Sequence, residues 1–238
     1  MKLKVLLIVL LASFLSCPSA LADTFMGSTG GSWQPVPVLD QNPPPFWDNG
    51  SWDGNPPGNV GLVLTSTDVS RGLPVSNLQY WAMDPGRTVD TQVVFNGVLA
   101  GQAETMLITI AGNAPYNSLY AYNTADQAQT TLLFSGVTST PQTVTVNIPY
   151  AQYGFLLTNP NSGYAFYSGF SPNFAFFRDA NLPGTWWIGV EDLPLTNSDI
   201  DYNDMIVKVS TVPLPSSIFL LGSGVLGLLG LGWRRKTG

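Results

Sequence analysis

From Val60 to Val209 the chain is a succession of β-type runs of four to six residues, separated by Gly, Pro and Asn. They are Val60–Leu64, Thr91–Phe95, Met106–Ile110, Thr130–Phe134, Thr143–Ile148, Gly154–Leu157, Tyr164–Tyr167, Phe174–Phe177, Trp186–Val190 and Met205–Val209. No stretch between them shows the 3.6-residue apolar period of an amphipathic helix. Thr143–Ile148 alternates strictly, so Val144, Val146 and Ile148 are expected to face a core and the polar residues water. Met205, Val207 and Val209 repeat the pattern around Ile206 and Lys208. Many short strands with polar turns predict an all-β fold, an antiparallel β-sandwich of jelly-roll-like type over residues 60–211.

The two ends are of a different kind. Lys2 and Lys4 precede an apolar stretch from Leu3 to Leu15, and Ala20-Leu21-Ala22 then offers small residues where a signal peptidase reads. Residues 1–22 are therefore expected to be a secretory signal helix cleaved after Ala22. Cys17, preceded by Ser16, leaves lipidation as an alternative. At the other end Val212-Pro213-Leu214-Pro215 leads into an uncharged run from Ser216 to Trp233, closed by Arg234, Arg235 and Lys236. Eighteen helical residues span about 27 Å, close to the roughly 30 Å of a bilayer's hydrocarbon layer. Residues 212–238 resemble the PEP-CTERM sorting signal of bacterial surface proteins in its VPLPA-type variant, with Leu214 at the place of the name-giving Glu. The resemblance implies a transmembrane helix over 216–233 and an exosortase-like membrane protease as partner. It also implies an inner-membrane-anchored precursor that passes to the periplasm, cell surface or extracellular matrix. An ordinary C-terminal membrane anchor is the alternative. Both place the rest of the chain outside the cytoplasm.

Charge follows the same division. Lys2, Lys4, Arg234, Arg235 and Lys236 lie in the end segments, which leaves Arg71, Arg87, Arg178 and Lys208 in residues 23–211 against all fifteen acids, a net −11. Such a surface repels nucleic acid and anionic lipid. The chain has no His, and its single Cys is Cys17. That removes disulfides from the exported part, along with the usual zinc ligands and the Ser-His-Asp triad. Asp23 to Asn59 is rich in Gly, Pro and Asn, yet carries Trp33, Phe46, Trp47 and Trp52. It is expected as an arm packed partly on the sandwich.

Acids crowd near the end of the body. Glu191 and Asp192 are followed by Asp199, Asp201, Asn203 and Asp204. Asp199, Asp201 and Asn203 alternate, so one side of an extended or looped backbone carries three oxygen side chains. A hard cation such as Ca2+ takes six to eight oxygens, and these six residues are its expected ligands. An EF-hand is excluded, because Asp204 stands where the loop Gly belongs and Ser210 where the twelfth-position Glu belongs. Turn capping by Asp and Asn is the competing reading. The same stretch, Trp187-Ile188-Gly189-Val190-Glu191-Asp192-Leu193 with Ser198-Asp199-Ile200-Asp201-Tyr202-Asn203-Asp204, also resembles the C-terminal signature of a domain of unknown function frequent in PEP-CTERM proteins. That resemblance implies a secreted β-rich domain. It carries no established activity, and Asn173 stands where many relatives have His.

Aromatic residues supply a second candidate site. Trp52, Trp186 and Trp187 are candidates for stacking on sugar rings, with a packed core as the alternative use. Catalysis has little support. A glycosidase needs two carboxylates about 5 to 10 Å apart, and nothing singles out a pair. The function expected is a non-enzymatic, exported envelope or matrix protein, structural or adhesive, in a surface layer or exopolysaccharide matrix, with Ca2+ as a stabilising ligand. A glycan-binding module is the second reading and a carboxylate glycosidase the third.

Overall fold

The alternating runs assemble into two antiparallel sheets. The computed structural model describes residues 23–28, 30–37, 45–48, 58–82, 93–97, 102–111 and 113–212. The expected signal segment with Ala20 and Ala22, Trp52, and the tail from Pro213 through Arg234, Arg235 and Lys236 lie outside them. Among the described residues no helix is long and apolar enough to cross a membrane.

The first sheet contains β1 (Thr24–Met26), β4 (Val94–Asn96), β9 (Gln152–Asn159), β6 (Ser118–Asn123) and β7 (Asp126–Ser135), in that order. A further strand, β10 (Tyr164–Tyr167), shares one edge of β9 with β4: β4 pairs at Gln152 and Tyr153, β10 at Leu156 to Asn159. The second sheet runs β2 (Ser32–Pro35), β3 (Leu78–Ala82), β11 (Phe174–Asp179), β12 (Thr185–Val190), β13 (Met205–Val212), β5 (Gln102–Ile110) and β8 (Gln142–Asn147). The segment expected as an arm thus supplies an edge strand to each sheet, β1 on β4 and β2 on β3.

The main core lies between the sheets. Phe95, Phe155 and Leu157 of the first sheet meet Phe176, Trp186, Ile188 and Val207 of the second. The Phe95 ring lies 5.0 Å from that of Trp186 and 5.4 Å from that of Tyr153. Ile148 is buried, and Val144 and Val146 pack against the same core, as their alternation requires.

A second core covers the opposite face of the second sheet. Trp47, Val60, Leu64, Leu73 and Val75 of an outer layer pack on Ala175, Phe177, Trp187 and Ile206. All six residues of β12 are buried because that strand is covered on both faces. Complete burial of a large apolar side chain is worth about 1.5–3 kcal/mol, so both faces contribute to stability. One expectation is corrected in this layer. Val60–Leu64 is no strand but most of a short helix, α1 (Val60–Thr65). Asn59 caps it, its side-chain oxygen accepting from Leu62 N at 2.9 Å. Among the described residues no strand pairs with it, and a five-residue apolar run carries no period that separates helix from strand. The Trp47 ring seats directly on Gly61, where an added Cβ would meet it at 2.5 Å.

Candidate metal centre

Glu191 and Asp192 follow the last residue of strand β12, and the chain returns through residues 193–204 into β13. The returning loop lies close over the strand it left. Val190 and Asn203 form an isolated parallel bridge. A Cβ on Gly189 would stand 2.7 Å from Tyr202 O and 2.9 Å from Val60 Cγ2, so only glycine admits this approach. Ile200 (φ 60°) and Tyr202 (φ 54°) are both left-handed. Such residues cost on the order of 1–3 kcal/mol each and need the surroundings to hold them. Tyr202 is held by its own N–H, which donates to Glu191 Oε1 at 2.6 Å, and by its hydroxyl, which donates to Pro172 O at 2.7 Å.

The six predicted ligands separate into two groups. Glu191, Asp199 and Asp201 converge, with one carboxylate oxygen from each lying within 4.8 Å of the others. Glu191 is fully buried and Asp201 is 8 % exposed, while Asp199 is exposed. The second oxygen of Glu191, Oε2, is buried with no hydrogen-bond partner among the described residues. Asp201 accepts from the Asn203 backbone N at 3.1 Å and from the Asn203 side-chain amide, which also donates to Gly58 O at 2.7 Å. Asn203 is therefore a brace whose amide nitrogen faces the carboxylate.

Asp192 and Asp204 are engaged elsewhere. Asp192 accepts from Asn113 N at 3.2 Å, Asn113 Nδ2 at 3.1 Å and Asn117 Nδ2 at 2.7 Å. Asn117 in turn accepts from Asn159 Nδ2 at 2.9 Å. Asp204 Oδ2 accepts from Asp192 N at 2.9 Å. Asn173 completes the frame, donating to Glu191 O at 3.1 Å and Leu193 O at 2.6 Å. Sequence reading missed Asn113, Asn117 and Asn159. Their amides lie far along the chain and carry no local pattern.

Electrostatics follows burial. Asp201 is pushed up to about 7 by burial, with the charges of Asp199 and Glu191 adding to the rise. Asp204 is pushed up to about 8 by burial and by neighbouring Asp192. Burial also raises Glu191, outweighing the Ser198 hydroxyl and nearby N–H groups that lower it. Ionising these carboxylates together is costly, and a cation among them removes the cost. An open cleft of about 300 Å³, walled by Asn113, Leu193, Asn197 and Ser198, is also lined by Glu191, Asp199, Asp192 and Asp204, while Asp201 lies outside its lining. The donor set is all oxygen, which suits Ca2+ or Mg2+ rather than a thiophilic metal.

The other candidate site residues fall differently. Trp186 and Trp187 point to opposite faces of the second sheet, as their adjacency requires. Both faces are covered, however, and the two residues are 5 % and 2 % exposed. Neither offers a ring face to a sugar in solution, which corrects their reading as stacking platforms. Of the two glutamates, Glu104 stands exposed on β5 and Glu191 is buried at the end of β12.

Comparison with known proteins adds one finding. Residues 211–236 match the PEP-CTERM protein-sorting motif. No curated protein and no solved structure matches the chain. The chain carries a PEP-CTERM protein-sorting motif, which implies an exported, membrane-anchored precursor processed by an exosortase for the cell surface or extracellular space.

Proposed function

We propose that the exported body is a non-catalytic structural or adhesive element of the envelope or exopolysaccharide matrix, and that Ca2+ held by Glu191, Asp199 and Asp201 stabilises it. The observation that carries the metal reading is Glu191. A fully buried carboxylate with one oxygen left without a partner among the described residues is expensive. Two more carboxylates point their oxygens to within 4.8 Å of it, which adds repulsion. A divalent cation supplies the missing partner and cancels that repulsion. The three side chains supply part of a six-to-eight-oxygen shell, and the open cleft admits water to the remaining positions. Metal that binds only the folded state adds RT ln(1 + [L]/Kd), about 2.7 kcal/mol at a hundredfold excess over Kd. For a chain of this size that corresponds to a rise of about 5–10 °C in Tm. The test is a thermal melt of the full-length chain in detergent, first with Ca2+ and then with chelator. A midpoint that does not move ends the metal reading.

A further inference from the structure

The loop that carries two of the three proposed ligands also hydrogen-bonds to the outer layer that packs on the second sheet. We infer that cation binding latches residues 45–48 and 58–75 over that sheet, so that metal occupancy governs whether the second core is covered. The inference rests on the Ca2+ reading above and adds a conformational consequence to it.

Asp201 serves both structures at once. Its side chain belongs to the carboxylate cluster, and its carbonyl accepts from Val60 N, the first residue of α1, at 2.8 Å. Two residues on, the Asn203 amide joins Asp201 to Gly58 O. The start of α1 therefore hangs on the two residues that flank Tyr202. Tyr202 itself is 1 % exposed and lies in the second core, its ring 5.7 Å from that of Phe46. Ile200 packs against the same core. Glu191 and Asp201 bracket Tyr202 through the Tyr202 N–H bond to Glu191, so fixing both carboxylates fixes the tyrosine.

Without a cation the repulsion among the carboxylates has one easy outlet. Glu191 sits at the end of a strand buried on both faces, whereas Asp199 and Asp201 ride on a loop with two left-handed residues. Moving that loop withdraws the acceptor of Val60 N and the Tyr202 ring together. Beyond its packing in the second core, the outer layer has little regular structure of its own. Its only α-helix among the described residues has six residues. The indole N–H groups of Trp47 and Trp187, both in the second core, have no hydrogen-bond partner among the described residues. Units of this kind open separately from the rest of a protein.

Hydrogen exchange read by mass spectrometry on the full-length chain in detergent tests this, with calorimetric Ca2+ titration on the same sample. Chelation is expected to speed exchange on the order of tenfold or more over 58–65 and 198–204, while β6 and β9 keep their protection. The Asp199→Asn variant removes one charge from the cluster without cutting any of the hydrogen bonds described above. It is expected to bind Ca2+ more weakly and, once chelated, to exchange more slowly over 58–65 than the chelated parent, because less repulsion is left to move the loop. If Ca2+ binds and residues 58–65 exchange unchanged, the latch is wrong while the metal site stands. Loss of protection in all strands together overturns the latch as well, since the layer then does not open by itself. If calorimetry detects no binding, the metal reading fails and the latch fails with it.

Discussion

Gly189 shows how much one missing methyl group decides here. It lets the Tyr202 backbone and the Val60 side chain reach strand β12 at distances no Cβ permits. Gly189→Ala must push the returning loop away or strain it, and overpacking of this kind typically costs about 1–3 kcal/mol. Chemical denaturation of the variant is expected to show a lower midpoint, and Ca2+ affinity is expected to fall with it because Asp201 moves with the loop. An unchanged midpoint would mean that the loop does not lie on the strand. The carboxylates are told apart at the same scale. Asp192 accepts from three amide groups of Asn113 and Asn117, whereas Glu191, although Oε1 accepts from Tyr202 N, leaves Oε2 without a partner among the described residues. Their adjacency in sequence predicted a shared role. Contacts made 75 and 79 residues away give them different ones.

Among the elements, the link between the sheets at the acidic end is Asp192. It follows β12 of the second sheet, and its partner Asn117 immediately precedes β6 of the first. Asn159, the last residue of β9, supports Asn117 from behind. Asn117→Ala leaves a buried carboxylate short of its closest donor. Hydrogen bonds to charged groups contribute about 1.5–3 kcal/mol, and a loss of that size is expected in the unfolding free energy, with Asn117→Asp worse still through like charge. A loss under about 0.5 kcal/mol, the usual range for surface substitutions, would show that this bridge does not hold the sheets together. The strands themselves follow local chemistry closely. The alternation of β8 and of β13 predicted their positions and which residues face the main core. It did not predict that Ile206, on the other face of β13, is buried as well.

For the whole molecule the expectation concerns pH. Asp201 and Asp204 have folded values of about 7 and about 8, above the ordinary 3.8. The folded state therefore binds more protons than the unfolded chain between about pH 4 and pH 8, and stability falls as pH rises through that window. Chelated full-length protein is expected to melt at a higher temperature at pH 5 than at pH 8. Saturating Ca2+ is expected to flatten or reverse this trend, because the ion binds the ionised form. A chelated protein that is more stable at pH 8 would contradict the burial of these groups. The net −11 of residues 23–211 acts in the same direction, since self-repulsion grows as carboxylates ionise.

Some properties are settled by composition and short-range order alone. Alternation, turn residues and the lack of helical period set the all-β class, because strand periodicity is a local property of two neighbouring residues. The Pro-x-Pro, apolar run and basic stop identify the sorting motif, because it is a linear signal. The density of acids marks the region of the candidate metal centre for the same reason. Tertiary structure alone decides the rest. Whether a strand has one covered face or two depends on what packs over it, and the layer over β12 comes from residues more than a hundred positions earlier. That layer takes Trp187 out of solvent, and Val60–Leu64 enters it as a helix capped by Asn59. Whether a carboxylate is satisfied or bare depends on donors that the chain brings from elsewhere, and no spacing within the loop encodes them.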